Sequence, residues 1–369
     1  MAGPSPQRTI RIRDAAKGQP NGTSANPRLS PDGRYIAFDS SASNLVASDR
    51  NGRGTDVFLY EQETGSLRLL SQGLAGAGAN GPSTQPVVAS GGATVAFASK
   101  AHNLVRGDAS TFSGVFVWSR GGAGAPLSDA GVSRVSVTSA GVPANGDSTL
   151  PDLSDDGRKV VFASRASNLA PGNTQSHLNV FVHDLASGAT TLVSAAPDGT
   201  PGNGDSTAPA ISPEGRYVSF ATSATNLVRG VATKGSSVVV RELATGSTQL
   251  ASLSSAGQPQ NASVRAPFMQ VSDISSQGRY VAFDSDATNL VPRDGNRHTD
   301  VFVRDMVSKT TTRASLAATG QESSGGDSFA PSITADGHFV SFESLAGNLA
   351  PFEPAGANVF VHDLVRRTT

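Results

Sequence analysis

The clearest signal of the fold in this 369-residue chain is the segment Ser30-Pro31-Asp32-Gly33-Arg34-Tyr35-Ile36-Ala37-Phe38. It places a tight Asp-Gly turn directly before a short, mainly apolar run, which is typical of a β-hairpin. Related stretches stand at Ser212–Phe220 and Gly278–Phe283. A turn and strand that return along the chain indicate that one structural unit is repeated.

The dipeptide Asn-Leu gives the period of this repeat. Its six asparagines are spaced by 59, 65, 58, 63 and 59 residues: Asn44, Asn103, Asn168, Asn226, Asn289 and Asn348. Each follows an apolar run that ends in phenylalanine, at Phe38, Phe97, Phe162, Phe220, Phe283 and Phe342. A second apolar run, such as Val57-Phe58-Leu59, comes after each dipeptide. We interpret the Asn-Leu pairs as fold residues, in which leucine anchors a loop and asparagine satisfies loop backbone groups.

Each unit is predicted to form four antiparallel strands. The first strand follows a proline such as Pro331, and proline at the first strand position costs no ladder hydrogen bond. A turn with glycine leads to the second strand, a long loop to the third, and a second turn such as Thr64-Gly65 to the fourth. The fifth unit has Ser308-Lys309 at that second turn, so glycine is not required there.

Six such sheets predict a single all-β domain over residues 1–369, a six-bladed β-propeller, because a lone sheet cannot bury both of its faces. The expected blades are 20–72, 79–138, 144–195, 202–253, 260–316 and 325–369. The sixth unit stops where its fourth strand should begin, and residues 8–13 alternate as that strand would. We therefore predict that the N-terminal strand completes the last blade. Two tandem immunoglobulin-like sandwiches are the alternative, but they do not explain a period near 60.

The quoted stretches resemble the S-P-D-G-x-x-I-A-F repeat of TolB-type, WD-like propellers, and the resemblance covers nearly the whole chain. It implies the propeller fold. It does not imply one function, because the repeat occurs in periplasmic interaction proteins, in propeller domains of serine peptidases and in carbohydrate-active enzymes. TolB also carries an N-terminal α/β domain without a counterpart in this sequence, so its role in envelope import is not carried over. A bacterial periplasmic or secreted location is the expectation, although residues 1–20 contain no signal-peptide core.

Composition excludes several classes of protein. The 29 basic and 30 acidic side chains give a net charge of −1, so the basic surface of a nucleic-acid-binding protein is not expected. Cysteine is absent, which excludes disulfides, thiolate zinc sites and cysteine nucleophiles. No apolar run approaches about 18 residues, so we expect no membrane insertion. We also expect the protein to be a monomer.

The loops before strand one and those between strands two and three open on the same side of a propeller, here called the loop face. Binding residues usually concentrate on such loops. Six side chains of the loops before strand one are expected to surround the mouth of the central channel: Asn21, Asn80, Asp147, Asp205, Asn261 and Asp327. They could bind a cation or hydroxyl-rich ligands. The alternative is a structural role, because Asn-Gly and Asp-Ser sequences form turns that bond their own backbone.

Two of the loops between strands two and three resemble part of a calcium-binding loop. Their oxygen-bearing side chains are Asp49, Asn51 and Asp56 in the first unit, and Asp294, Asn296 and Asp300 in the fifth. Both loops lack the bidentate glutamate that ends a full calcium loop. Calcium binding and ordinary turn capping therefore remain alternatives.

Catalytic motifs such as G-x-S-x-G and H-E-x-x-H do not occur. His183 and His362 are expected to be solvated ends of strands. These features favour a non-catalytic binding or scaffold module for a protein, peptide or glycan. The alternative is a hydrolase or lyase for polysaccharides or lactones, using Asp147, Asp205 and Asp327 with a divalent ion. An enzyme should break the repeat at one place, whereas a scaffold should repeat the same polar contacts from unit to unit.

Overall fold

The structure, a computed structural model, describes residues 12, 18–121, 131–173, 177–229, 235–261, 272–350 and 356–369. The chain has two compact units, Met1–Thr111 with Val117–Ser133, and Phe112–Phe116 with Arg134–Thr369. The boundary between them passes through one strand of the second sheet. The fold is all-β, and the described helical segments are short 3-10 turns at Leu74–Gly76, Ser90–Gly92 and Ser276–Gly278.

Consecutive antiparallel strands form each sheet, which confirms the predicted four-stranded unit and the six-bladed β-propeller. The first sheet contains β1 (Ser24–Leu29), β2 (Tyr35–Ser40), β3 (Asp56–Glu61) and β4 (Leu67–Leu69). The second contains β5 (Ser83–Val88), β6 (Thr94–Ser99), β7 (Gly114–Ser119) and β8 (Gly131–Arg134). The third contains β9 (Ser148–Leu153), β10 (Lys159–Ser164), β11 (Asn179–Asp184) and β12 (Thr190–Leu192). The fourth contains β13 (Ser206–Ile211), β14 (Tyr217–Thr222), β15 (Ser237–Glu242) and β16 (Thr248–Leu250). The fifth contains β17 (Ser272–Ile274), β18 (Tyr280–Ser285), β19 (Asp300–Asp305) and β20 (Thr310–Arg313). The sixth contains β21 (Ser328–Ile333), β22 (Phe339–Ser344) and β23 (Asn358–Asp363).

Pairs of phenylalanines join the two apolar runs of a unit. Phe162 of β10 lies opposite Phe181 of β11, and their rings stack with centroids 5.8 Å apart. The same pairing joins Phe38 with Phe58, Phe283 with Phe302, and Phe342 with Phe360. Stacked aromatic pairs inside a sheet add to the free energy of burial, so these pairs fix the register of strands two and three.

The first strand of each unit differs from the prediction. The prolines are the fourth of six strand residues rather than the first, as Pro151 is in β9. Leu150, just before it, has φ +53°, and the register of β9 against β10 shifts there. The strand tolerates proline because this β-bulge removes the ladder position that would need its N–H. Asn26, Gln85, Ala208 and Ala330 have the same positive φ before a proline.

The turn between strands one and two packs against the preceding blade. At Gly278, φ is +63°, and a Cβ atom would lie 2.6 Å from Cγ of Tyr217. Gly337 has the same relation to Tyr280, and Gly92 to Tyr35. Glycine is therefore needed for two reasons, a left-handed backbone and the close approach of a tyrosine ring.

The predicted closing strand, residues 8–13, lies outside the described residues except for Ile12. Ile12 is half-buried and packs beside the core cluster of the first sheet, which includes Phe38 and Phe58. The sixth sheet shows three strands within the described part of the chain. Its Val359 is 73% exposed, whereas the corresponding Val301 of the fifth sheet is buried. Closure of the last blade by the N-terminus stays a prediction.

Candidate functional site

The asparagines of the loops before strand one bond the Asn-Leu loop of their own unit. The backbone N–H of Asn145 donates to Oδ1 of Asn168 (3.0 Å), and the Asn145 side chain bonds both the N–H and the Oγ of Ser167 (2.8 and 2.9 Å). Nδ2 of Asn168 in turn donates to the carbonyl of Pro143 (2.9 Å). The same backbone contact joins Asn21 with Asn44, Asn80 with Asn103, Asn203 with Asn226, and Asn261 with Asn289.

The glycine that follows four of these asparagines, all except Asn261, allows the two loops to touch. A Cβ atom on Gly146 would lie 2.8 Å from backbone atoms of Arg165 and Ala166. The Asn-Gly sequence therefore serves close backbone packing, and the asparagine side chain saturates polar groups that this packing would otherwise leave unpaired. These contacts give Asn21, Asn80 and Asn261 a structural role, and the Asn-Leu pairs act as the fold residues expected from the sequence.

The aspartates of the same loops connect one blade to the blade before it. Oδ1 of Asp147 accepts hydrogen bonds from the N–H and Oγ of Ser113, both at 2.9 Å. Oδ1 of Asp205 accepts from the N–H of Leu178 (2.8 Å), and Oδ1 of Asp327 from the N–H of Thr299 (2.9 Å). Each donor stands just before the third strand of the preceding blade. A carboxylate that accepts a backbone N–H is a structural contact, and here it recurs three times.

Two of these carboxylates also lie beside a histidine, which the sequence did not predict. Nδ1 of His298 lies 3.3 Å from Oδ1 of Asp327, and Nδ1 of His177 lies 3.5 Å from Oδ1 of Asp205. Nη2 of Arg165 is 3.8 Å from the second oxygen of Asp205. The two histidine–aspartate pairs join residues on adjacent blades, 28 or 29 positions apart, so spacing along the chain gave no signal for them. In the described ranges, no three histidine or acidic side chains lie close enough together to hold a metal ion.

In the fifth blade, the predicted calcium residues surround an arginine. Nη1 of Arg313 lies 3.2 Å from Oδ2 of Asp300, and Nη2 lies 3.4 Å from Oδ1 of Asp294 and 3.2 Å from Oε1 of Glu322. Nδ2 of Asn296 donates to Oδ2 of Asp300 (2.9 Å). Burial raises the pKa of Asp294 to about 6, and the charge of Arg313 opposes this rise. The guanidinium supplies the positive charge of this buried cluster.

In the first blade, Leu69 stands at the strand position that Arg313 has in the fifth. Asp56 is 1% exposed, and its Oδ1 accepts a hydrogen bond from Oγ of Ser71 (2.7 Å). Burial raises the pKa of Asp56 to about 6; Ser71 and the nearby Asn51 side chain oppose the rise, and the charge of Asp49 adds to it. Oδ2 of Asp56 and Oδ1 of Asn51 are buried and make no hydrogen bond of normal geometry within the described chain.

The strand-end histidines are buried, so the prediction of solvated ends was wrong. His183 is 6% exposed and its Nδ1 lies 2.8 Å from Oγ1 of Thr190, while His362 pairs in the same way with Thr369. Burial lowers the pKa of both imidazoles. Arg304, at the corresponding position of β19, donates to the carbonyl of Ser254 in the preceding blade (3.1 Å). This position packs between blades, which a strand pattern does not reveal.

A buried carboxylate inside the fifth sheet was also missed. Asp284 is 1% exposed and its Oδ2 accepts a long hydrogen bond (3.4 Å) from the N–H of Ala330 on the next blade. Burial raises the pKa of Asp284 to about 8, and the charge of Asp286 adds to the rise. The first blade uses Asp39 in the same way, toward the N–H of Gln85 (3.0 Å). The signal in the sequence was Phe-Asp-Ser, which stands only in these two units.

No protein-family model matches the sequence, and no curated protein matches it. Similar solved structures include TolB from Acinetobacter baumannii, which is 13% identical with a TM-score of 0.46 over 79% of this chain and 54% of that chain. The β-propeller domain of the trilobed protease from Pyrococcus furiosus is 12% identical with a TM-score of 0.54, and the match covers 93% of this chain and 81% of that chain. An oligogalacturonate lyase in complex with manganese is also 12% identical with a TM-score of 0.54, and the match covers 96% of this chain and 81% of that chain.

These similarities establish the fold alone. The chain is a six-bladed β-propeller, as the repeat predicted, and it spans about half the length of the Acinetobacter TolB. The similar structures with a TM-score of 0.54 include a protease domain and a lyase, so the fold does not by itself identify a function. No helix in the described residues is long and apolar enough to cross a membrane.

Proposed function

We propose that this propeller is a non-catalytic binding module that holds a protein or peptide partner on its loop face. The observation that carries the proposal is the repetition of the polar contacts. Asn145 and its four counterparts make one hydrogen-bond pattern, and Asp147, Asp205 and Asp327 make another. Side chains that perform the same structural task in unit after unit favour a preformed binding surface over a single reactive centre.

The chemistry of the exposed side chains favours a protein or peptide over a glycan. Phe112 precedes Ser113, the partner of Asp147, and is 40% exposed. Leu345, whose N–H donates to the carbonyl of Asp327, is 47% exposed. Apolar side chains next to half-exposed carboxylates are typical of protein interfaces, in which an apolar centre is bordered by polar groups.

Affinity capture from the native host with the full chain tests this proposal. Leu345→Arg places a charge on the loop face, and Val307→Arg is the control because Val307 is 71% exposed at the turn between β19 and β20, on the opposite side. We expect one partner to be retained by the parent and by Val307→Arg and to be lost with Leu345→Arg. Equal recovery with all three proteins would contradict binding through the loop face.

A second candidate function is the hydrolysis or elimination of a polysaccharide or lactone, and the two histidine–carboxylate pairs favour it. A histidine held by a carboxylate is an arrangement that general acid–base catalysis uses. Turnover of an oligo-uronide or lactone panel with added divalent ions, lost in Asp205→Asn and Asp327→Asn, would replace the binding proposal with this one. A bacterial periplasmic or secreted location and a monomeric state complete the proposal, and cell fractionation and light scattering test them.

A further inference from the structure

The loop between β2 and β3 in the first blade is built like its counterpart between β18 and β19 in the fifth. In both, an aspartate is the first residue of the third strand, Asp56 or Asp300. Its Oδ1 accepts a hydrogen bond from a serine that follows the fourth strand, Ser71 at 2.7 Å or Ser315 at 2.6 Å. An asparagine and a second aspartate stand upstream in each loop. The two loops therefore present the same types of oxygen ligand around the same strand end.

The register of the fourth strand shows what differs between them. Arg313 lies opposite Phe302 in the fifth blade, and Leu69 lies opposite Phe58 in the first. The side chain that neutralises the carboxylates of the fifth blade is therefore replaced by an apolar one. The first blade keeps the two aspartates, Asp49 and Asp56, and has Leu69 where the fifth blade has Arg313.

Two buried oxygen atoms in the first blade indicate what replaces the guanidinium of Arg313 there. Oδ2 of Asp56 and Oδ1 of Asn51 are buried and make no hydrogen bond of normal geometry in the described chain, although the Asn51 side chain lies near enough to Asp56 to oppose the rise of its pKa. Buried oxygens of this kind cost free energy unless a donor or a cation binds them. In the fifth blade the corresponding Oδ2 of Asp300 has both, Nδ2 of Asn296 at 2.9 Å and Nη1 of Arg313 at 3.2 Å.

We propose that the first blade binds a calcium ion through Asp49, Asn51 and Asp56, at the position that the guanidinium of Arg313 occupies in the fifth blade. Carboxylate and amide oxygens suit a hard cation. Calcium is favoured over magnesium because it accepts irregular geometry and completes its coordination with backbone oxygens and water, whereas magnesium requires a near-ideal octahedron. The fifth blade does not share this calcium site, because the side chain of Arg313 supplies the positive charge there.

Calorimetric titration of the full chain with calcium, after removal of metal by a chelator, tests this site. We expect one ion per chain and a rise in melting temperature on binding. Asp49→Asn keeps the shape of the side chain but removes one charge, and it should weaken binding by at least about tenfold because the charge of the ligands sets calcium affinity. Asp294→Asn, the matched change in the fifth blade, should leave calcium affinity unchanged.

A charge swap distinguishes a bound ion from a merely acidic surface. Leu69→Arg brings the arginine of the fifth blade to the first and should abolish calcium binding while circular dichroism stays that of the parent. If this variant does not fold, the comparison of Asp49→Asn with Asp294→Asn decides alone. The proposal is overturned if the parent binds no calcium, or if Asp49→Asn binds it as tightly as the parent.

Discussion

Replacing Gly278 by alanine should destabilise the propeller far more than the same change at Gly33, although both glycines occupy equivalent turns. Both have a left-handed backbone, with φ of +63° and +71°. An alanine in this region costs roughly 1–2 kcal/mol. A Cβ atom on Gly33 would meet nothing within 4 Å, so this backbone cost is the whole expected effect of Gly33→Ala.

Gly278 carries an additional packing cost. Its Cβ atom would lie 2.6 Å from Cγ and 2.9 Å from both Cδ atoms of Tyr217, whereas ordinary contact begins at 3.4 Å. The ring would have to move by 0.8 Å, the difference between 3.4 and 2.6 Å. Tyr217 packs against the core cluster of blades four and five, and Arg216 lies over its ring at 5.2 Å. Overpacking of this kind costs about 1–3 kcal/mol, so Gly278→Ala should lose about 2–5 kcal/mol in all.

Urea unfolding of the two variants and of a double-mutant cycle with Tyr217→Ala measures this difference. The cycle should show a favourable coupling of about 1–3 kcal/mol between the two substitutions, because removal of the ring removes the clash. Equal destabilisation by Gly278→Ala and Gly33→Ala, together with zero coupling, would refute the proposed packing of glycine against tyrosine.

Three further predictions concern closure, pH and the loop asparagines. Deletion of residues 1–14 should lower the melting temperature by many degrees because the sixth blade would lose its fourth strand, and an unchanged melting curve would contradict closure. Asp284 releases its proton near pH 8 when folded and near 3.8 when unfolded, so the native state binds the extra proton between these values and the free energy of unfolding should fall as pH rises through them. Asp284→Asn should remove this part of the pH dependence in urea titrations, and parallel profiles for the two proteins would show that Asp284 is not responsible. Asn145→Ala breaks the contacts with Ser167 and should cost about 1–3 kcal/mol, against less than about 0.5 kcal/mol for the exposed Val307→Ala.

Most of the fold could be predicted because its determinants are local. The apolar run of β2, the turn at Gly33 and the pair Phe38 and Phe58 lie within one unit, and the repeat presents counterparts of each several times. The position of the prolines was wrong because a β-bulge depends on the backbone of the neighbouring strand. Leu150 at φ +53° has no sequence signal of its own, since left-handed residues are usually glycine or asparagine.

The sequence predicted which loops carry the residues of the candidate site, but it did not predict which side chains those residues contact. The sequence indicated Asp205 and Asp327 as exposed loop residues, yet it did not show that His177 and His298 lie beside them. Asp294 and Asp300 were recognised as possible ligands of a cation, but the cation of that blade is Arg313, a strand residue that the loop pattern does not contain.

The number of units, the strand order and the side of each sheet that carries long loops could all be predicted from the amino-acid sequence, because they follow from periodicity and turn chemistry within about 60 residues. The tertiary structure decided which charged groups are neutralised. Arg313 neutralises carboxylates of the fifth blade, whereas Leu69 occupies the corresponding position of the first blade, and this difference becomes visible only in the cross-strand register. Packing between adjacent blades decided the rest, including the buried Asp284 and the glycine that faces Tyr217, because these contacts join residues from different units.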